Sequence, residues 1–277
     1  MRCSGGWMGC ACAYRVFVIA VVLLLAVGCA TVPITGRRQL AIIPGREIVG
    51  LGTQQYREIL AQSTLSTDAT QVERVRMIGG RIARAAEVFY REKGQAAELR
   101  HFSWEFNLIQ DDKTVNAFCL PGGKVAIYSG ILPVAGDDAG LATVIAHEIA
   151  HALAHHGSER LSQMMLAQFG GVVLDQATAK GKQQTREFLL LAYGVGMNIG
   201  VVLPYSRLHE KEADYIGLIL MARAGYDPEA AVAFWERMSR LAGSRTWEFL
   251  STHPAPATRI EDLRQALPEA RKEFRRP

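Results

Sequence analysis

Five residues, His147-Glu148-Ile149-Ala150-His151, constrain this chain more than any other part of it. Residues four apart on an α-helix differ by about 40° around the axis, so both imidazoles can reach one ion while the intervening carboxylate stands beside it without ligating. That arrangement requires a helix, and the flanks supply one. Ala142, Ala146, Ala150, Ala152 and Ala154 allow close packing by neighbours, Asp137 and Asp138 are N-cap candidates, and Gly157 is the expected stop of a helix over residues 138–156. At this composition the pattern would arise by accident about 0.01 times per chain. The five residues therefore predict a zinc site with Glu148 placed to move protons.

Two imidazoles need a third protein ligand, leaving one position open for water if the site is catalytic. The longer pattern H-E-x-x-H-x-x-G-x-x-H is excluded, because Ala154 and Gly157 stand where its Gly and third His would be. His155 lies one turn beyond His151, too far along a straight helix to close a tetrahedron, so His155 and His156 are expected to be exposed or to stand behind the ligands. The better candidate lies in Ser206-Arg207-Leu208-His209-Glu210-Lys211-Glu212-Ala213-Asp214. Here the sequence resembles the gluzincin metallopeptidase family, which includes the CAAX prenyl endopeptidases, the membrane heat-shock proteases and the periplasmic beta-barrel assembly-enhancing proteases; these residues match its second motif, SRxxExxAD, in full. The resemblance implies one Zn2+ per chain, with Glu210 as the third ligand. It also implies that Asp214, one turn later, accepts a hydrogen bond from a ligating imidazole, His147, fixing its tautomer. Arg207 belongs to the same motif and is expected to support the ligands, whereas Glu212 points to another face and is expected to be a solvated charge.

The likeness extends over most of the chain. Asn116-Ala117-Phe118, with Val115 before it and Leu120-Pro121-Gly122-Gly123 and Ile127-Tyr128 after it, looks like the family's edge strand, which holds an extended substrate beside the zinc by main-chain pairing. Ser251-Thr252-His253-Pro254 with Arg259 looks like the segment whose His faces the metal, where it stabilises an oxyanion or caps the zinc of a resting enzyme. The implied fold is α+β: a mainly helical zincin-type domain with a small sheet whose edge strand lines the site. The implied activity is that of a zinc metalloendopeptidase, with Glu148 as proton carrier and His253 as a further catalytic residue. The helical-repeat domain of the assembly-enhancing branch and the strong membrane spans of the others have no counterpart, so the resemblance transfers the catalytic domain and not those branches' substrates. The expected substrates are misfolded or misassembled envelope proteins; the rival reading is a chaperone-like lipoprotein that assists outer-membrane assembly machinery, with proteolysis secondary. Metal storage has no Cys/His-rich tract to support it.

Composition matters mainly at the N-terminus. Residues 16–27 form an unbroken apolar run behind Arg2 and Arg15, too short at about 1.5 Å per residue for the roughly 30 Å hydrocarbon core. This predicts a signal peptide over residues 1–28, with Met8 an alternative start. Ala26-Val27-Gly28-Cys29 resembles a bacterial lipobox, which implies lipidation of Cys29 and a membrane anchor; Ala30 after it resembles the pattern of proteins sorted to the outer membrane, facing the periplasm. Cys119 would then be the one thiol besides the lipidated Cys29, and burial is expected for it. Residues 29–46 read as a tether and 47–277 as a single metallopeptidase domain. A net charge of +4 without a Lys/Arg cluster gives no footprint for nucleic acid. Apolar spacing predicts an amphipathic helix over 70–91, alternation predicts a strand over 102–108, and Pro121-Gly122-Gly123 predicts a hairpin between runs 115–120 and 124–128. Residues 188–203 are expected to form a buried or interfacial helix hairpin, and Asp227-Pro228 to open a helix reaching about residue 241.

Overall fold

A computed structural model of the chain describes residues 29–197, 203–242, 248–253 and 258–275. The leader expected over 1–28, and Pro254, lie outside these. In chain order the elements are β1 (Cys29–Thr31), β2 (Arg38–Leu40), α1 (Gly45–Gln62), α2 (Ala69–Glu92), β3 (Glu105–Ile109), β4 (Ala117–Leu120), β5 (Lys124–Tyr128), the short α3 (Leu132–Ala135), α4 (Asp138–Leu153), α5 (His156–Thr178), α6 (Gln183–Met197), α7 (Leu203–Arg223), α8 (Glu229–Ala242), α9 (Glu248–Thr252) and α10 (Thr258–Lys272). The class is α+β, as expected.

The motif helix α4 is the centre of the core. Asp137 caps it, accepting from the Gly140 N–H at 2.8 Å, and every residue from Gly140 to Leu153 is buried. Its alanines let α7 cross closely: a Cβ added at Gly217 would lie 3.2 Å from the His147 backbone nitrogen and 3.3 Å from the Ala146 carbonyl carbon. The helix ends earlier than Gly157 predicts. His155 takes the left-handed turn itself, at φ 55°, with its N–H donating to the Ala152 carbonyl and its own carbonyl accepting from Glu159, so Gly157 falls inside α5.

The predicted helix over 70–91 is α2, capped by Asp68 and burying Val75, Ile78, Ile82, Ala85 and Phe89 against the core. In the three-stranded sheet β5 lies between β3, which runs parallel to it, and β4, which is antiparallel with Ala117 opposite Ile127. Thus β4 is an edge strand, joined to β5 by the expected turn. Gly123 stands there at φ 82°, where an added Cβ would fall 2.6 Å from the Trp104 ring. The alternating run begins as regular strand only at Glu105; Phe102 and Trp104 precede it, their rings packed at a centroid distance of 5.0 Å.

Residues 29–46, read from sequence as a tether, contain the antiparallel pair β1–β2 and anchor it by Val32, which is fully buried. Cys29 is the first described residue and pairs with Leu40. Of the 188–203 stretch, residues 188–197 belong to α6, which lies along α5 with the Tyr193 hydroxyl donating to the Ala167 carbonyl. This hairpin is exposed rather than buried, with Phe188 and Leu191 each 68% exposed. Among the described residues no helix is long and apolar enough to cross a membrane.

Candidate metal centre

The α4–α7 crossing joins the two motifs. The Nε2 atoms of His147 and His151 stand 3.1 Å apart. Glu210 of α7 places one carboxylate oxygen 3.3 Å from His147 Nε2 and the other 3.4 Å from His151 Nε2. His253, at the end of α9, brings its Nδ1 to 3.1 Å from both Glu210 oxygens and 3.3 Å from His147 Nε2. One donor atom from each of these four buried residues lies within 4.8 Å of the others. Imidazole nitrogens and a carboxylate converging in this way suit zinc.

Glu148 is 3% exposed, and its Oε1 has no hydrogen-bond partner; His253 Nε2 stands 3.4 Å from it. Burial lifts the Glu148 pKa above the ordinary carboxylate value, against the pull of His253 and His147. A carboxylate made more basic this way is suited to carry a proton near neutral pH.

Behind His147 stands Asp214, its Oδ1 2.9 Å from Nδ1. The Nδ1–H donates there, which leaves the Nε2 lone pair facing the donor cluster. Arg259 braces both carboxylates, 2.7 Å from Asp214 and 3.1 Å from Glu210, with its guanidinium 3.4 Å over the Trp235 ring. Burial works to raise the pKa of Glu210 and Asp214, but His151 and Arg259 respectively lead the charges that hold both carboxyls below the usual range.

Behind His151 the arrangement departs from expectation. Its Nδ1 faces Nδ1 of His156 at 2.9 Å, and His156 Nε2 is 3.0 Å from Glu212. Glu212 is not solvated: it is 6% exposed and accepts from Arg37 Nε at 2.7 Å and from the Thr35 hydroxyl. The turn between β1 and β2 and the first turn of α5 cover that face of α7. Arg37 also donates through both terminal nitrogens to Glu159, which accepts from His209 Nε2 at 2.8 Å. Of the two histidines expected to be exposed or behind the ligands, His156 is buried behind one and His155 is half-buried at the helix junction. Arg207, expected to support the ligands, is exposed and joins none of the site's hydrogen bonds among the described residues. It sits one turn before Glu210 and about 60° round the axis, which carries it past the site. Thr35, Arg37, Glu159 and His209 carried no sequence signal, since none stands at a specified position of a motif.

Asn116, Ala117 and Phe118 line one cleft with Glu148, His151 and His253, a cavity of about 640 Å³. Gln39 also lines it, and neither polar atom of its buried amide has a partner. Cys119, expected to be buried, is half-buried in the same wall.

A helical HExxH pair met by a glutamate from a second helix, with a carboxylate behind the first histidine, defines a zinc metallopeptidase domain. Residues 73–267 match Peptidase family M48, and the chain belongs to that family. It is 42% identical over 179 residues to the mitochondrial metalloendopeptidase OMA1 of Saccharomyces cerevisiae, covering 62% of this chain and 49% of that protein. It is 44% identical over 174 residues to the Schizosaccharomyces pombe OMA1, with the same coverage, and 29% identical over 177 residues to the beta-barrel assembly-enhancing protease of Escherichia coli, covering 35% of the latter. The chain thus spans about half the length of these yeast relatives.

These similarities correct two expectations. A lipid-anchored protein of the bacterial outer membrane, facing the periplasm, does not stand, because the relatives of higher identity are mitochondrial enzymes. For the same reason the assembly-enhancing branch is not the nearer one, and neither a membrane anchor nor outer-membrane assembly machinery is supported as a partner.

Proposed function

We propose that this chain is a metalloendopeptidase domain that hydrolyses peptide bonds in extended segments laid along β4. His147, His151 and Glu210 would hold a zinc ion, which would supply the Lewis acidity to polarise the scissile carbonyl and to make a water acidic enough to give up its proton. Glu148 takes that proton as the carbonyl is attacked and passes it to the leaving amine. Asp214 holds the His147 ring in its ligating tautomer, and Arg259 fixes the two carboxylates around it. His253 stands among the donors in the substrate-free chain; an entering peptide displaces it, and its N–H then donates to the carbonyl oxygen as charge develops, a contribution of about 3 kcal/mol by analogy with other such donors. The edge of β4 pairs with the substrate main chain at Asn116, Ala117 and Phe118, and the unpartnered amide of Gln39 offers a further donor and acceptor in the same cleft. Recognition of backbone fits substrates chosen by being unfolded, which supports a role in removing misfolded proteins.

The observation that carries this reading is the buried, unpartnered oxygen of Glu148 beside four converging donor atoms. Glu148→Gln keeps the shape and removes the proton carrier. It is expected to retain zinc and to cleave an unfolded protein substrate about 10²–10⁴-fold more slowly. Undiminished cleavage by the zinc-loaded variant would overturn the mechanism. Full complementation of a deletion strain by Glu148→Gln would instead assign the chain a chaperone-like holding role.

A further inference from the structure

The hydrogen bonds that end on His151 begin outside the family-matched region, in the turn between β1 and β2. Their direction is fixed. A histidine that ligates through Nε2 carries its proton on Nδ1, and His151 Nδ1 faces His156 Nδ1 at 2.9 Å. That proton can be donated only if His156 Nδ1 is bare, which puts the His156 proton on Nε2, 3.0 Å from the Glu212 carboxylate. Glu212 accepts it and also accepts from Arg37 and Thr35. Every donor along the line meets an acceptor. The reverse assignment sets a bare His156 Nε2 against a carboxylate and pushes the His151 proton onto the nitrogen that faces His147 and Glu210, where an ion has to bind.

The line is buried and well anchored. His156 is 0% exposed and Glu212 6%. Arg37 reaches Glu212 with Nε and Glu159 with its terminal nitrogens, a use of the whole guanidinium fork that an ammonium cannot reproduce. Its turn is closed by Val32 N–H to the Arg37 carbonyl at 2.8 Å and Gly36 N–H to the Val32 carbonyl at 2.9 Å. Buried Val32 seats that turn in the core.

We propose that Arg37, Glu212 and His156 are positioning residues for the metal ligand His151, which makes the turn between β1 and β2 a working part of the metal centre although none of its residues is a ligand. The inference rests on the assignment of His151 as a zinc ligand. Its test is zinc affinity, measured by competition with a chromophoric chelator on the purified full chain. Wild type is compared with Glu212→Gln, with Arg37→Lys, and with Arg74→Gln, which removes an ion pair to Asp138 at the start of the same zinc helix. Glu212→Gln is expected to weaken zinc about 10–100-fold, the range for partners that orient a ligating histidine. Arg37→Lys falls between it and wild type, and Arg74→Gln leaves affinity unchanged. Unfolding of the metal-free chain separates positioning from packing: a strap that merely holds the fold together lowers that midpoint and leaves zinc affinity at the wild-type value, which would overturn the proposal. Should Glu212→Gln not fold, Arg37→Lys carries the same readout. Wild-type chain that binds no zinc would instead overturn the metal-centre assignment, and this proposal with it.

Discussion

An imidazole serves a metal only through a nitrogen whose lone pair is free, and the two histidines of α4 are held to that tautomer by different means. His147 leans directly on Asp214 at 2.9 Å, whereas His151 leans on a second imidazole backed by Glu212. Burial opposes a charge on His147, yet its hydrogen bonds to Asp214 and Glu210 lift its pKa to about 9 in the metal-free chain, so the Asp214 side of the site is strongly electronegative. Asp214→Asn keeps an oxygen for the His147 N–H but removes the charge and half the bracing by Arg259. Zinc affinity is expected to fall about 10–100-fold, with kcat/KM falling alongside it; a chelator competition at the wild-type value would show that Asp214 does no more than fill space. His147, Glu148, His151, Glu210 and Asp214 were legible because helical spacing and the second motif place them locally. Arg37 was not, since its partners Glu159 and Glu212 lie 122 and 175 residues away and meet it only through tertiary packing. Glu212 was misjudged because its angle from Glu210 is a property of the helix, whereas what covers that angle belongs to the rest of the fold.

At the scale of elements the site is a crossing of two helices, and its precision depends on how closely they approach. Gly217 of α7 sits over the backbone of Ala146 and His147, at distances where an added Cβ is already tight. Gly217→Val cannot be absorbed by a side-chain rotation, because the atoms it meets are main chain. A loss of about 1–3 kcal/mol of stability is expected from overpacking, read as a lower unfolding midpoint. Weaker zinc binding should accompany it, since the valine wedges Glu210 away from the two imidazoles. A variant as stable and as tight for zinc as wild type would mean that the crossing tolerates a wider gap. The elements that build this crossing were readable because they are long: α2 shows its apolar row over 24 residues, and α4 carries both a cap and a motif. Strands β1 and β2 are three residues each, too short to leave a period, and their segment reads as a tether until Val32 and Arg37 are seen to dock. The early end of α4 escaped for a related reason: His155 takes a left-handed conformation that sequence assigns to glycine.

For the molecule as a whole, the balance of charge around the cluster argues that zinc is part of the fold as well as of the chemistry. Glu148, Glu210 and Asp214 are all buried, and one buried guanidinium, Arg259, pairs with two of them, Glu210 and Asp214. With all three carboxylates ionised and His147 neutral, as ligation requires, one arginine leaves two negative charges, and burying charge without compensation is costly. A divalent cation among these donors restores neutrality. The metal-free chain has to relieve that excess by taking up protons, by drawing water into the core, or by parting α4 from α7, and each route weakens the packing at the centre of the molecule. Chelation should therefore lower the unfolding midpoint reversibly. At free zinc about 1,000 times the dissociation constant, mass action contributes about 4 kcal/mol. For a chain of this size, each kcal/mol moves the midpoint by roughly 2–4 °C, so the gap between zinc-loaded and chelated protein is expected to be on the order of 10 °C by calorimetry. Glu148→Gln, which removes one of the unbalanced charges while leaving the ligands in place, should narrow that gap by stabilising the chelated form. A gap that is absent in wild type, or unchanged in Glu148→Gln, would mean that the carboxylates are already neutralised by protons and that charge balance does not tie the metal to the fold.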